Sequence, residues 1–590
     1  MGNIHKGKDS SLYRRMVESS AYHRFTGMAN HNLFVFCCCG ILGAIFFIWA
    51  YGLRILDFTY TGWLMNQGGD LTQHYLGWRF FRDSAWHFPI GLMDNIVFPF
   101  KESIIYTDSI PLFAFIFKLL SPILPAHFQY FGLFSIICYF LQGAVSGLIL
   151  KRLCGNTLYA VIGSCFLILS TTMAYRIIIG HTSLAVHFII LLCIYVCVSK
   201  GSVAGSVKKV VVWSGISCLA ATIHFYYVPV VFIFIFFDML DDCIATKKPI
   251  LPILRALLPV VLTVLCMAVM GAFYSGAGKS LNEMGVFSAN LVSLFNPMGF
   301  SAFLKDLPMV TEGQHEGYGY LGLGVLLGCF AAVLIVFRNL HKIRTLAAPE
   351  GFVRRLILSM VLFAFFLILS LSPVVTYKAR TLFTYPIPGI VREVWGFFRN
   401  TGRFIWIPAY MITFAVVWII HRENKAKAAA VILLLLLLVQ FQDVKGIYAH
   451  AAGGRGYINR IEWKTNLRSS AWNKLAERHQ HIVVLGQLGG IQTHSAKLFH
   501  LASFANDHQM TTNDFYLARK DFQSVEEFKA MEIARLISGD VAGDTIYVFD
   551  PDQYEGFPTT NALVFYQIDD MIIGVKDMLD CEDEEIKRLN

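Results

Sequence analysis

Between residues 33 and 441 the chain keeps returning to apolar runs of membrane-spanning length. A hydrocarbon core about 30 Å thick takes roughly 20 residues of helix, because each residue advances about 1.5 Å. Runs at 33–53, 127–150, 157–174, 183–199, 210–224, 225–238, 256–273, 318–337, 356–372, 404–420 and 428–441 meet or approach that length. They predict an α-helical polytopic membrane protein of about 11 spans. Of the 590 residues, 56% are hydrophobic and only 15% charged, a shortfall against the roughly 25% of soluble domains. The net charge of +9 does not indicate nucleic acid, because the basic residues sit in short clusters between apolar runs. About 30 polar and basic residues precede the first run with no small-residue cleavage site after it, so it reads as a span and not a signal peptide.

Lys and Arg are denser in one set of loops, including Lys151–Arg152, Lys208–Lys209, Lys247–Lys248 and Arg354–Arg355. The positive-inside rule then places residues 1–32 in the cytoplasm and the C-terminus outside. Residues 210–238 are long for one helix and short for two; basic flanks on both sides favour a hairpin turning at His224. Three long outer loops follow from this arrangement, at 54–126, 274–317 and 373–403. In the first, residues 73–86 alternate aromatic and charged side chains, as in a helix lying in the membrane interface. Residues 109–124 are apolar but hold Pro111, Pro122 and Lys118, and read as a re-entrant or interfacial piece. Gly322-Leu323-Gly324 reads as a helix-packing feature. Beyond 444 the pattern changes. Short β-like runs (481–485, 545–549, 562–566, 571–575) alternate with a helical stretch at 524–537, which predicts a soluble α/β domain over 445–590. Most of the 13 Cys lie in apolar segments, so no disulfide framework is expected.

Ionisable residues gather where the spans reach the outer face: Asp70 and His74, Asp108, Arg176 and His181, His224, Glu312 and Glu316, and Arg399 and Arg403. Such groups at membrane depth are costly and tend to be functional. Their clustering predicts a single polar cavity at that face. Plainer readings stand beside this one. The arginines also suit snorkelling to headgroups, the histidines suit packed hydrogen-bonded sites, Glu312 and Glu316 suit a solvated loop, and Asp70 suits a helix cap after Gly68-Gly69.

Asp70 at the head of a long first outer loop, with the piece from Asp108-Ser109-Ile110-Pro111-Leu112 through Lys118-Leu119-Leu120 before the second span, resembles the GT-C class of membrane glycosyltransferases. The block Asp70-Leu71-Thr72-Gln73-His74-Tyr75-Leu76-Gly77-Trp78, with Phe128-Gln129-Tyr130-Phe131-Gly132-Leu133, also resembles an uncharacterised family of bacterial polytopic membrane proteins. The GT-C resemblance implies a transferase of the bacterial inner membrane. Its donor would be a polyprenyl-phosphate-linked sugar and its acceptor a glycan, lipid or protein. Asp70 would be the catalytic base, and Arg176, Arg399 and Arg403 the donor-phosphate clamp. His74, Asp108, His181, His224, Glu312 and Glu316 would line the cavity. The first loop lacks an Asp-x-Asp or Glu-x-Asp pair, so the implied mechanism is metal-independent and without a cofactor; a base on the acceptor and a lipid phosphate as leaving group imply inversion at the anomeric carbon. The alternative class is a non-enzymatic lipid or polysaccharide transporter or an envelope assembly scaffold; a transporter would favour mid-bilayer polar residues and internal repeats, which the sequence lacks.

Overall fold

A computed structural model describes residues 31–199, 206–274, 284–345, 351–397, 400–449, 455–486, 488, 491–519, 521–558, 562–579 and 586–589. The expected N-terminal segment 1–32 therefore lies outside the described residues, apart from its last two. Every one of the eleven apolar segments is helical. Helix α1 (Asn32–Tyr51) is followed, after the first long loop, by α4 (Phe131–Cys154), α5 (Thr157–Ile168), α6 (Thr171–Ile178) and α7 (Phe188–Val198). Next come α8 (Ser206–Ile223), α9 (Tyr227–Thr246), α10 (Ile250–Val269), α11 (Leu323–Thr345), α12 (Phe352–Leu371), α13 (Trp406–Glu423) and α14 (Ala426–Ala449). Among the described residues, seven helical stretches are long and apolar enough to cross a membrane; one of them joins α5 and α6. Their boundaries follow from local chemistry. Gly155 closes α4 with φ 67°, and the Asn156 side chain immediately caps α5 by accepting from Leu158 N at 2.8 Å.

Close helix contacts are set by small residues. A Cβ on Gly43 of α1 would lie 2.1 Å from Tyr139 O, and one on Gly143 of α4 would lie 2.2 Å from Cys39 O. Only glycine allows these backbones to approach so closely. Gly324 plays the same part for α11 against α14, as its sequence context predicted: its Cβ would meet Leu436 O at 2.3 Å.

Residues 210–238 form two helices, α8 and α9, turning at His224–Tyr226. Both run further than their apolar cores. Lys209 of α8 pairs with Asp238 of α9 at 2.7 Å and also with Asp242, and Trp213 Nε1 donates to Asp238 at 3.0 Å. Charges that look like helix ends in a hydropathy reading are here neutralised by one another.

The first long loop departs from expectation. It contains α2 (Gly69–Asp83), the hairpin β1 (Leu92–Val97) and β2 (Phe100–Ser103), and α3 (Pro111–Leu119). Helix α2 does not lie in an interface, because Leu71 through Phe81 are all buried. It is covered by the C-terminal region: Arg79 pairs with Asp507 at 2.7 Å and Asn506 Nδ2 donates to Asp83 at 2.9 Å. Helix α3 has nine residues, about 14 Å of helix, too short to span a bilayer. The third loop folds into the hairpin β3 (Val374–Tyr377) and β4 (Arg380–Thr384) and a helix at Gly389–Phe397.

The C-terminal region forms one six-stranded sheet of β5 (His481–Val484), β6 (Thr511–Thr512), β7 (Thr545–Phe549), β8 (Val564–Ile568), β9 (Met571–Val575) and β10 (Lys587–Arg588). Strand order is β10-β8-β9-β7-β5-β6; β5 is parallel to β6 and β7, and the others pair antiparallel. Helices α15 (Ile491–Asp507) and α16 (Phe522–Ile537) connect β5 to β6 and β6 to β7, with Asp521 capping α16. The bundle's last helix runs through Ala449, past the expected boundary at 445. The two parts are joined directly. Phe98 N, at the tip of the β1–β2 hairpin, donates to Thr512 O at 2.8 Å, and the Phe98 ring stacks on His481 at 4.2 Å.

Candidate functional site

A cavity of about 360 Å³ opens where the first long loop, the α8–α9 turn, the segments before α11 and α13, and the C-terminal region converge. Asp70, Asp108, His181, His224, Glu316 and Arg403 all line it. Six of the ten residues singled out from sequence thus come together from five separate chain segments, the first long loop supplying two.

Local backbone chemistry delivers each one. Gly68 and Gly69 carry φ of 70° and 58°, which lets the chain turn into α2 with Asp70 in its first turn. No side chain caps this helix, so capping is not the role of Asp70. Its carboxylate instead meets His181 Nε2 at 2.6 Å. Gln67 Nε2 donates to Ile178 O at 2.8 Å, tying the approach to α2 to the end of α6, three residues before His181.

Asp108 sits in strained backbone. Both Asp108 (φ 52°) and the β-branched Ile110 (φ 54°) adopt left-handed conformations, which Ile strongly disfavours. Surrounding hydrogen bonds hold the turn. Ser109 Oγ donates to His74 O at 2.7 Å, Thr107 and Ser109 hydroxyls bond each other, and Tyr130 OH donates to Ser109 O. Strain fixed in this way is a common mark of functional positions. His224 Nε2 lies 3.4 Å from the Asp108 carboxylate.

Glu316 and Arg403 meet because Gly317 and Gly402 press together; a Cβ on Gly402 would lie 2.7 Å from Gly317 Cα. Arg403 grips Glu316 with Nε at 2.8 Å and Nη2 at 3.1 Å. Arg176 reaches the same carboxylate at 2.7 Å and the Glu316 carbonyl at 3.0 Å. This is a buried Arg–Glu–Arg triad. His181 and His315 approach Glu316 at 3.9 and 3.8 Å.

Of the three arginines expected to hold a donor phosphate, one is found at the cavity among the described residues. Arg176 is fully buried, spends its charge on Glu316 and does not line the cavity. Arg399 lies outside the described residues. Arg403 does line the cavity, and its Nη1 makes no bond to a described residue. Glu312 is exposed and not at the cavity wall; its carbonyl meets His315 Nδ1 at 2.7 Å. His74 is also absent from the wall. It is buried one turn after Asp70, with neither ring nitrogen hydrogen-bonded among the described residues.

Electrostatics divide the two aspartates. Burial pushes Asp108 up, the nearby Asp70 charge pushes it further, and its carboxyl stands at about 7. Burial also opposes ionisation of Asp70, but attraction and a hydrogen bond to His181 outweigh it and hold that carboxyl well below the usual range. Glu316 is held low by its two arginines despite burial. Burial lowers His74 to about 3 and His224 well below its ordinary value, so both are neutral. Two carboxyls in one cavity with opposed affinities for a proton are suited to different roles.

The sequence reading missed the C-terminal contribution. Tyr516, Leu517, Ala518 and Arg519 form part of the wall, joined to the first loop by Ala518 N donating to Tyr106 O at 2.9 Å. No local pattern marks these residues; only docking of the two parts brings them to the site.

A family profile described as "Domain of unknown function (DUF6311)" matches residues 40–445, well over half of the chain. The chain belongs to the DUF6311 family. A second profile, "DUF6311 C-terminal domain", matches residues 471–576. None of the curated proteins matches the chain. The DUF6311 region supplies the cavity residues from Asp70 to Arg403, and its C-terminal domain supplies Tyr516 to Arg519, so both matched regions build the one cavity.

Proposed function

We propose that this DUF6311 protein is a multi-pass glycosyltransferase of the bacterial inner membrane, with a GT-C-like helical part. It moves a sugar from a polyprenyl-phosphate donor to an acceptor hydroxyl at the outer face. The observation that carries the reading is the cavity itself: two carboxyls of opposed proton affinity beside Arg403, reached from loops at the ends of apolar helices.

The step balances without a second acid. The acceptor oxygen attacks the anomeric carbon from the face opposite the phosphate. The bond from that carbon to the phosphate oxygen breaks, and its electron pair leaves with the lipid phosphate. The hydroxyl proton passes to a carboxylate, and the anomeric configuration inverts. Phosphate is a good leaving group, unlike the sugar oxygen that glycosidases must protonate.

Asp70 was the expected base from its place in the loop. Its tie to His181 makes it a weak proton acceptor, so the base role passes to Asp108, whose affinity matches neutral pH. Asp70 stays ionised and offsets positive charge developing at the anomeric carbon. Arg403 faces the departing phosphate. The N-terminus is cytoplasmic and the C-terminal domain is outside, which a reporter fused at Asn590 tests; activity in a cytoplasm-only reporter would refute that orientation.

The transfer assay uses the full chain in nanodiscs with a panel of polyprenyl-phosphate and polyprenyl-diphosphate sugars. Expected is consumption of one donor with release of the lipid phosphate. A folded protein that consumes none of them would sink the reading.

A further inference from the structure

Among the described residues, the sequence-expected clamp leaves a shortage of positive charge. Arg176 is consumed by Glu316, and two of the three Arg403 nitrogens are engaged there as well. One partly committed guanidinium is a weak grip on a phosphate, which is best held by several charge-assisted bonds. Among the described residues the cavity wall holds one further arginine, and it comes from the other domain: Arg519.

The segment leading to it is fixed by the fold. Upstream, Asn513 bonds Val484 of β5 with both side-chain atoms, its Oδ1 accepting at 2.7 Å and its Nδ2 donating at 3.1 Å. Asp514 pairs with the buried Lys529 at 2.9 Å. Phe515 packs edge-on against Phe80 of α2 and Phe499 of α15. At the cavity, Ala518 N is bonded to Tyr106 O, and the Arg519 guanidinium lies 5.9 Å from the centre of the Phe225 ring. Phe225 belongs to the α8–α9 turn, beside Tyr226, whose ring faces Arg403 at 5.1 Å. Two arginines from different domains thus flank one aromatic turn at one cavity, and both favour the ionised form of the Asp108 carboxyl that lines it.

We propose that Arg519 is a substrate-contacting residue which, together with Arg403, holds the anionic phosphate group of the ligand. The C-terminal domain is then part of the binding site. This deepens the transferase reading and rests on it for the identity of the ligand. The shared chemistry is a phosphate monoester or diester, whether on a lipid or free in solution.

The test is a binding measurement that needs no turnover. The full chain in nanodiscs is titrated with farnesyl phosphate and, separately, with inorganic phosphate. Variants are Arg519→Gln, which keeps length and removes charge, Arg519→Lys, and Lys576→Ala as an exposed charge-loss control in the same domain. Loss of a charged hydrogen bond predicts about 10- to 100-fold weaker farnesyl phosphate binding for Arg519→Gln. Arg519→Lys should recover part of it, and the control none of the loss. Unfolding temperatures of the variants exclude a folding defect as the cause. Equal affinity of wild type and Arg519→Gln would overturn the proposal, as would a wild type that binds neither probe. Equal binding of both probes would keep the phosphate site and count against a lipid donor. Arg519-dependent binding without sugar transfer would keep the site and refute the transferase reading alone.

Discussion

Two clusters of buried charge sit along helix α9 and its neighbours, and they are built differently. Near its start, the His224 turn borders a cavity of about 360 Å³ with three carboxyls around it. Four to five turns further on, Asp238, Asp241 and Asp242 meet Lys209 and Arg354 around voids of only about 20 and 50 Å³. At the second cluster each carboxylate has a cation against it and almost no space is left over. At the first, Asp108 faces a neutral histidine at 3.4 Å and stands in strained backbone beside open volume. Buried charge alone does not mark a functional site; buried charge left available beside a cavity does.

The sharpest way to break this contrast is to remove charge from each cluster. Asp108→Asn should lower sugar transfer by about 10²- to 10⁴-fold, the span of general-base contributions, with folded yield unchanged. Asp238→Asn should do the reverse, lowering the unfolding temperature while activity per folded molecule is retained. Comparable transfer by Asp108→Asn and wild type would remove the distinction.

Glu316 tests the part of the cavity that resembles the paired cluster. Gln in its place leaves Arg176 and Arg403 buried without their counter-charge. Breaking such a group costs about 3–5 kcal/mol. Thermal unfolding of Glu316→Gln in detergent should show the loss; an unchanged transition would mean that the triad is not structural.

Asp108 also gives the site a pH signature. Its carboxyl is raised from 3.8 to about 7, so the folded state binds the proton more tightly than the unfolded chain. This contribution to stability is complete below about pH 4 and is lost as pH rises through about 7. If Asp108 is the base, as proposed, transfer should run the other way and increase as Asp108 ionises near pH 7. Asp108→Asn should flatten the stability slope in that window. A transfer rate independent of pH between 5 and 8 would exclude Asp108 as the base.

Much of this was legible in the sequence because it rests on local pattern. Hydropathy located all eleven helical segments, and alternating runs located four of the six C-terminal strands and α16. Asp70, Asp108, His181, His224, Glu316 and Arg403 were visible as costly residues at span ends. Pairing was not visible. Arg176 and Arg403 read alike in sequence, and only the Gly317–Gly402 contact decides that Glu316 takes all of one and part of the other. Helix α2 read as interfacial because its aromatic and charged residues alternate; the domain that buries it lies more than 400 residues later. Arg519 was hidden for the same reason, since a cavity wall assembled by docking leaves no periodic trace.

The smallest expected effect lies at the second cluster's rim. Arg354 Nε bonds Asp241 at 2.7 Å, but the arginine side chain is a third exposed while the aspartate is buried. Water therefore screens the cation and takes over part of its role when it is lost. Ion pairs with one exposed partner contribute little, with exposed pairs at about 0.2–1 kcal/mol. Arg354→Gln keeps a donor within reach of Asp241 and should shift the unfolding temperature by no more than a few degrees. Phosphate binding and sugar transfer should be untouched, because this pair sits some four turns of α9 away from His224. If Arg354→Gln instead changed transfer as strongly as Asp108→Asn, the two clusters would be coupled along α9. The difference between a paired structural cluster and an open reactive one would then no longer separate their functions.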